Sequence, residues 1–203
     1  MPRRPGESPS ELAARLTARG VSRAVLLEAP EGELSALVDT GIDATVWPHD
    51  APPVSDRFYC DTEPTAGSSR VFFSGPVNAE RDRLLNPVKH RFDLLHLVGG
   101  GDPGTLAELM GRCSIAIDLR GNAELDDADR IGPAMAAGML VIAEAPVERE
   151  GLTPTDHLLT FSDADELEEL IDSVVREPEA FLPIRRAGRK AAERWRASVV
   201  LAA

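Results

Sequence analysis

The sequence predicts an α/β protein: a Rossmann-like parallel sheet with helices on both faces. Three observations carry that expectation. Short apolar runs (Val71-Phe-Phe, Leu94 to Val98, Ile115-Ala-Ile, Met139 to Ala143) recur with helix-length segments between them, the spacing of parallel strands joined by right-handed crossovers. Each run is apolar throughout instead of alternating, as strands covered on both faces are. Finally, Leu94 to Leu119 reads L-L-H-L-V-G-G-G-D-P-G-T-L-A-E-L-M-G-R-C-S-I-A-I-D-L. That order, strand, glycine loop, helix, strand, is the unit that binds phosphates and nucleosides in such sheets.

The elements follow in order. Ser8-Pro9-Ser10-Glu11 is a capping box with proline at the first helical position, so a helix starts there and runs to about Gly20. Arg23 to Glu28 reads as a buried strand, Glu31 to Val38 as a short helix and Ala44 to Trp47 as a strand stopped by Pro48. Residues 49–69, rich in Pro, Asp, Ser and Thr, read as a linker or surface crossing. A new βα series begins at Arg70 to Ser74, with a charged helix around Asn78 to Leu85. A helix from about Ala128 to Ala137 and a short strand at Leu158 to Phe161 come later. Ser162 is expected to cap a helix with an apolar stripe of Leu167, Leu170, Ile171, Val174 and Val175, which Pro178 ends. A last helical region, Phe181 to about Leu201, would carry Arg185, Arg186, Arg189, Lys190, Arg194 and Arg196 on exposed positions. The expected division is a partial N-terminal α/β unit with linker over 1–58 and a Rossmann-like domain over 59–203.

Composition narrows the partners. A net charge of −12 argues against nucleic acid, because binding it requires a basic face to neutralise phosphates. No apolar run approaches the roughly 20 residues of a membrane span, and the start of the chain is polar, so a cytoplasmic location is expected. Much Ala, Arg, Gly and Pro with little Lys is the compositional habit of high-GC bacteria. Cys60 and Cys113 form neither a disulfide framework nor a zinc pattern, and no metal is expected.

Ligands of open parallel sheets bind beyond the carboxyl ends of the strands. That edge holds Ser74-Gly75, Gly99 to Asp102, Leu119 to Asn122 and Glu144 to Pro146. Gly99-x-Gly101-x-x-Gly104 followed by Asp118 matches the spacing of a dinucleotide fingerprint. Pro103, however, makes Asp102 a helix cap and puts Gly104 inside the helix, a start suited to a diphosphate. A tight turn without ligand is the alternative. Gly121 to Arg130 carries Glu124, Asp126, Asp127 and Asp129, either a site for sugar hydroxyls or a hard cation, or a solvated helix start. Arg130 is the cation expected to reach inward. His96 reads as a hydrogen-bonded core histidine, and no nucleophile with its base can be assembled.

In order, these segments resemble the C-terminal half of a GT-B glycosyltransferase, especially the bacterial family-four-like and spore-maturation-protein-like group. The carrying residues are Val71 to Leu85, Leu94 to Gly101, Cys113 to Asp118, Asp129 to Glu144 and Ser162 to Leu167, with Ala24 to His49 resembling the end of the N-terminal domain. The resemblance implies a nucleotide sugar, or a nucleoside diphosphate, as ligand, with the donor a substrate and no further cofactor. It implies binding by Ser74, Gly75, Gly99, Gly100 and Gly101, with Arg81 or Arg130 stabilising the departing diphosphate, an electrostatic role; Asn122 and Glu124 of the acidic segment join them as candidate sugar contacts. The glutamate that binds ribose in such enzymes would fall at Pro133, so the expected acceptor is absent. Most of the N-terminal domain is missing too. The readings are therefore a transferase completed by a partner subunit or homo-oligomer, or a degenerate non-catalytic scaffold. An S-adenosylmethionine-dependent methyltransferase is a third, suggested by Val98-Gly-Gly-Gly with Asp118.

Overall fold

The computed structural model describes residues 7–26, 32–46, 52–59, 63–66, 68–98, 102–120, 129–147 and 149–202. The chain opens with helix α1 (Pro9–Thr17), whose capping box is present: the Ser8 side chain accepts from the Glu11 backbone, and Glu11 accepts from the Ser8 backbone at 2.8 Å. Strand β1 (Arg23–Leu26), helix α2 (Glu33–Asp39) and strand β2 (Asp43–Val46) follow, and β1 pairs β2 in parallel. Leu12, Ala13, Leu16, Leu37 and Ile42 form their core. Helix α1 ends short of Gly20, which takes φ +72 in the turn, a backbone that glycine adopts without steric cost. The expected strand ends at Glu28 and Trp47 lie outside the described residues.

Five further strands make the main sheet: β3 (Val71–Ser74), β4 (Leu94–Leu97), β5 (Ile115–Asp118), β6 (Leu140–Glu144) and β7 (Leu159–Phe161), all parallel, in the order β4-β3-β5-β6-β7. The remaining α-helices of the described residues are α3 (Ala79–Arg91), α4 (Pro103–Met110), α5 (Ile131–Ala136), α6 (Ala164–Arg176), α7 (Leu182–Ala192) and α8 (Ala197–Ala202). This is the Rossmann-like α/β architecture that the apolar runs predict.

Alternate residues of each strand go to opposite faces. Val71, Phe73, Ile115, Ile117, Leu140 and Ile142 meet Leu85 and Val88 of α3 and Leu167, Ile171 and Val174 of α6. Phe72, Ala116, Val141 and Ala143 face the other way, toward Met110, Ala134, Met135, Ala192 and Trp195. Buried Cys113 belongs to this second core, where burial pushes its thiol up to about 11.

Four expectations are corrected. The stretch read as a linker supplies Val54, Phe58 and Tyr59 to the second core. Val54 also exchanges backbone hydrogen bonds with Trp195 (2.7 Å) and Ala197 (2.8 Å). The cap of α6 is Asp163, whose side chain accepts from the Glu166 backbone at 2.9 Å, while Ser162 donates its own N–H to Glu166 at 2.8 Å. The last helical region is interrupted at Glu193–Trp195 by a 3-10 turn and at Arg196 by an extended residue. Arg185 is buried, not exposed: it donates to the Gly138 carbonyl at 2.9 and 2.8 Å and to that of Thr65 at 2.8 Å, a carbonyl clamp that charge alone does not foretell. Helix α5 spans only Ile131–Ala136, closed by Gly138 at φ +75; its expected start at Ala128 lies outside the described residues. No helix among the described residues is long and apolar enough to cross a membrane.

Candidate functional site

The chain leaves β3 toward β4 on one side and returns across β3 to reach β5 on the other, so the strand order reverses between β3 and β5. At such a reversal the connections turn away in opposite directions and leave a crevice. Register widens it here. Strand β3 pairs β4 along its whole length but pairs β5 only through Val71–Ile115 and Phe72–Ala116, so Ser74 and Asp118 stand at ends that have parted. On the face that carries Phe72 and Ala116 a cavity of about 200 Å³ opens there. Small residues make the room: Ala116 in the sheet and Ala134 in α5 line it, beside Leu97, Leu106, Met110 and Val141.

Among the described residues the polar part of the wall is short. Ser74 and Gly75 leave β3, Asp118 ends β5, and Asp129 and Arg130 precede α5. Gly75 has φ +129, a conformation open to glycine. Its N–H donates to the Leu97 carbonyl at 2.8 Å, and its carbonyl lies 2.9 Å from His96 Nε2. The His96 ring packs on Phe73 with centroids 5.2 Å apart. His96 is thus hydrogen-bonded as expected, yet half-buried on β4 instead of lying in the core, and its bond ties β4 to the turn after β3.

Arg130 donates from Nε to Asp118 Oδ1 at 3.1 Å and from Nη2 to the Leu119 carbonyl at 2.8 Å. Burial pushes the Asp118 carboxyl above the usual carboxylate range against the opposing pull of Arg130, and Asp129 adds to the rise. Asp129 Oδ1 accepts from the Gly132 N–H at 3.1 Å and from Arg149 Nη1; its Oδ2 accepts from Arg149 Nη2 at 3.2 Å. Arg149, buried, lies over the Trp195 ring at 3.9 Å. This tie holds the entrance to α5 against the C-terminal helices. Sequence reading missed Arg149 and Trp195 because nothing in their spacing from Asp129 announces the contact.

The structure brings Ser74, Gly75 and Arg130 of the expected set to one cavity. Arg81 does not line it. Buried in the first turn of α3, it donates to the carbonyls of Pro76 (2.9 Å), Leu119 (3.4 Å) and Arg120 (3.4 Å), tying together the loops after β3 and β5. The expectation of a diphosphate contact there is corrected to a loop-binding one, because those carbonyls take the guanidinium's donors. Gly99, Gly100, Gly101, Asn122 and Glu124 lie outside the described residues. At the border of the glycine stretch, Asp102 caps α4, accepting from Gly104 (2.9 Å) and Thr105 (3.3 Å), with Pro103 first in the helix as expected. Those hydrogen bonds hold the Asp102 carboxyl below its ordinary range, the Thr105 hydroxyl contributing most. Pro133 lines the cavity where the resemblance would put a carboxylate. Among the described residues no group of three or more His, Cys, Asp or Glu could hold a metal ion.

The cavity at the strand-order reversal, rimmed by a glycine turn and an Asp–Arg pair, belongs to a Rossmann-like α/β domain. The chain belongs to the glycosyl transferase-like family, whose model matches residues 81–200, more than half of its length. No curated protein matches it in sequence. Among solved structures it is similar in fold to a glycosyltransferase from Rickettsia africae ESF-5 (TM-score 0.53, 11% identity, 100% of this chain and 81% of that one). It is also similar to sucrose-phosphate synthase from Thermosynechococcus elongatus (TM-score 0.52, 15% identity, 99% and 61%). Anabaena HepE, solved in complex with UDP and glucose, is a third (TM-score 0.50, 12% identity, 97% and 66%). The chain therefore spans about two thirds of the length of HepE and less of the synthase.

Proposed function

We propose that this chain binds a nucleotide sugar or nucleoside diphosphate in the β3/β5 cavity and, with a partner subunit or second copy, transfers the sugar. The observation that carries the reading is the cavity at the reversal of strand order, with Ser74, Gly75 and Arg130 on its wall. Family membership and the complex of HepE with UDP and glucose support the ligand class. The division at residue 58, with a partial α/β unit before it and a donor-binding domain over 59–203, belongs to the same proposal, with Val54 and Phe58 packed against the second part. Arg130 is the cation offered to the diphosphate, the glycine loop at residues 99–101 its companion, and Asn122 and Glu124 the sugar-facing group. The donor enters as substrate, with no further cofactor.

A degenerate, non-catalytic reading has one observation in its favour: Pro133 on the cavity wall supplies no acceptor. Thermal shift separates the readings, because a ligand bound only by the native state raises apparent stability. Stabilisation by UDP, GDP or ADP and by the matching nucleotide sugar supports binding. Response to S-adenosylmethionine alone overturns it, and silence to all of them favours the scaffold. Turnover of the bound sugar, alone or with a co-purified partner, then distinguishes transfer from binding.

A further inference from the structure

Among the described residues the β3/β5 cavity has two carboxylates on its wall, and they are not equivalent. Asp129 is used up: both of its oxygens face Arg149, and Oδ1 also takes the Gly132 N–H. Only glycine fits at 132 beside that arrangement, since a Cβ there would lie 2.5 Å from Asp129 Oδ2 and 2.7 Å from Val54 Cγ2. Asp118 differs. Its Oδ1 takes Arg130 Nε at 3.1 Å, whereas its Oδ2 takes no hydrogen bond from a described residue. Its side chain keeps 22% exposure at the cavity. A carboxylate accepts through two oxygens and about four lone-pair directions, so an Arg on one side leaves room for a pair of hydroxyls on the other.

Position supports the same use. Asp118 ends the strand on the far side of the reversal point from the Ser74-Gly75 turn, and an acidic residue at a strand end beside the phosphate loop is how such sheets hold a ribose. Pro133, on the α5 side of the wall, offers neither donor nor acceptor. We propose that Asp118, oriented by Arg130, is the acceptor of the ribose hydroxyls of the bound nucleoside diphosphate. The assignment rests on the reading that this cavity takes a nucleoside diphosphate. Asp118 is then a recognition residue, and Arg130 serves both as its orienting partner and as the cation nearest the diphosphate.

The test is calorimetric titration of the full chain with UDP, GDP and ADP, then with the 2′,3′-dideoxy form of whichever binds. Hydrogen bonds to a buried carboxylate carry enough energy for the native protein to prefer the ribonucleotide by about 10- to 100-fold. In Asp118→Asn that preference falls to about threefold or less, the double-difference that isolates one contact. If Asp118→Asn does not fold, the same ratio is read on Asp118→Ser, which removes the carboxylate and leaves Arg130 in place for the diphosphate. Equal affinity of the native protein for the ribo and dideoxy forms overturns the assignment while leaving the cavity's ligand class standing. So does a preference that survives in the variant. Failure of the native protein to bind any of the three nucleotides overturns the underlying reading and this assignment with it.

Discussion

The two faces of the main sheet are built on different plans. Toward α3 and α6 every inward position is large and apolar, with Phe73, Ile115, Leu140 and Ile142 fully buried; packing fills that layer, and Arg91 of α3 pairs with Glu168 and Asp172 of α6 at its surface. Toward α4, α5 and α7 the strands present Ala116 and Ala143, and polar ties stand in for the missing bulk. Arg149 bridges Asp129 and Trp195, Arg185 grips the Gly138 carbonyl, and the Tyr59 hydroxyl donates to the Ala192 carbonyl at 2.7 Å. Burial pushes the Tyr59 hydroxyl well above its ordinary value, so it remains a donor at any physiological pH. The contrast shows how one strand order can give both a solid core and a hollow site. Space is left where side chains are small and β3 and β5 part, and hydrogen bonds keep the walls of that space in place.

The sharpest break of this contrast is a truncation on the solid face. Phe73→Ala should cost about 3–5 kcal/mol in urea unfolding, since it removes a fully buried aromatic ring with no room to collapse. On the hollow face the comparable loss comes from a polar tie: Arg149→Met strands Asp129 and should cost about 3–5 kcal/mol by the same measurement. Enlarging side chains should separate the faces by sign of tolerance. Ile142→Phe overpacks the solid face and should cost about 1–3 kcal/mol. Ala116→Leu points into the cavity and should change stability by less than about 1 kcal/mol.

The smallest effect is a pH dependence. Burial raises the Asp118 carboxyl and Asp129 adds to that, opposed by Arg130 and Arg81. Its proton is therefore lost above the ordinary aspartate value, and the preference for ribo over dideoxy nucleotide should strengthen as pH rises through that point and fade below it. Titrations of both nucleotides across acid to neutral pH check this. A ratio constant over the range would remove Asp118 from the contact.

Much of the sheet was legible because continuous apolar runs can be read without knowing their neighbours: β3 to β7 lie where Val71, Leu94, Ile115, Leu140 and Leu159 announce them. Local caps were equally readable, as at Ser8 and Asp102, since their partners are three residues away or fewer. What escaped the sequence was long-range. Arg185 looks like one of a row of exposed arginines and is instead clamped on Gly138. Val54 and Phe58 sit in a Pro- and Asp-rich stretch, yet pack beneath Trp195 and its neighbours. The candidate site shows the same split. The Ser74-Gly75 turn and Arg130 could be named from the strand ends, but the cavity depends on which strands are neighbours and how far they pair. No local pattern records that, so the sequence marks Asp118 as the acid after a glycine motif and not as part of the β3/β5 wall.

The central claim is that the hollow between β3 and β5 is the nucleotide site. Calorimetric titration of UDP, GDP and ADP into the native chain and into Ala116→Leu tests it most directly, because that substitution fills the hollow and leaves Ser74, Gly75, Asp118 and Arg130 unchanged. The account predicts binding by the native chain and a loss of about 30-fold or more in Ala116→Leu, roughly 2 kcal/mol of affinity, with stability changed by less than about 1 kcal/mol. Equal affinity of the two proteins for the same nucleotide would contradict it.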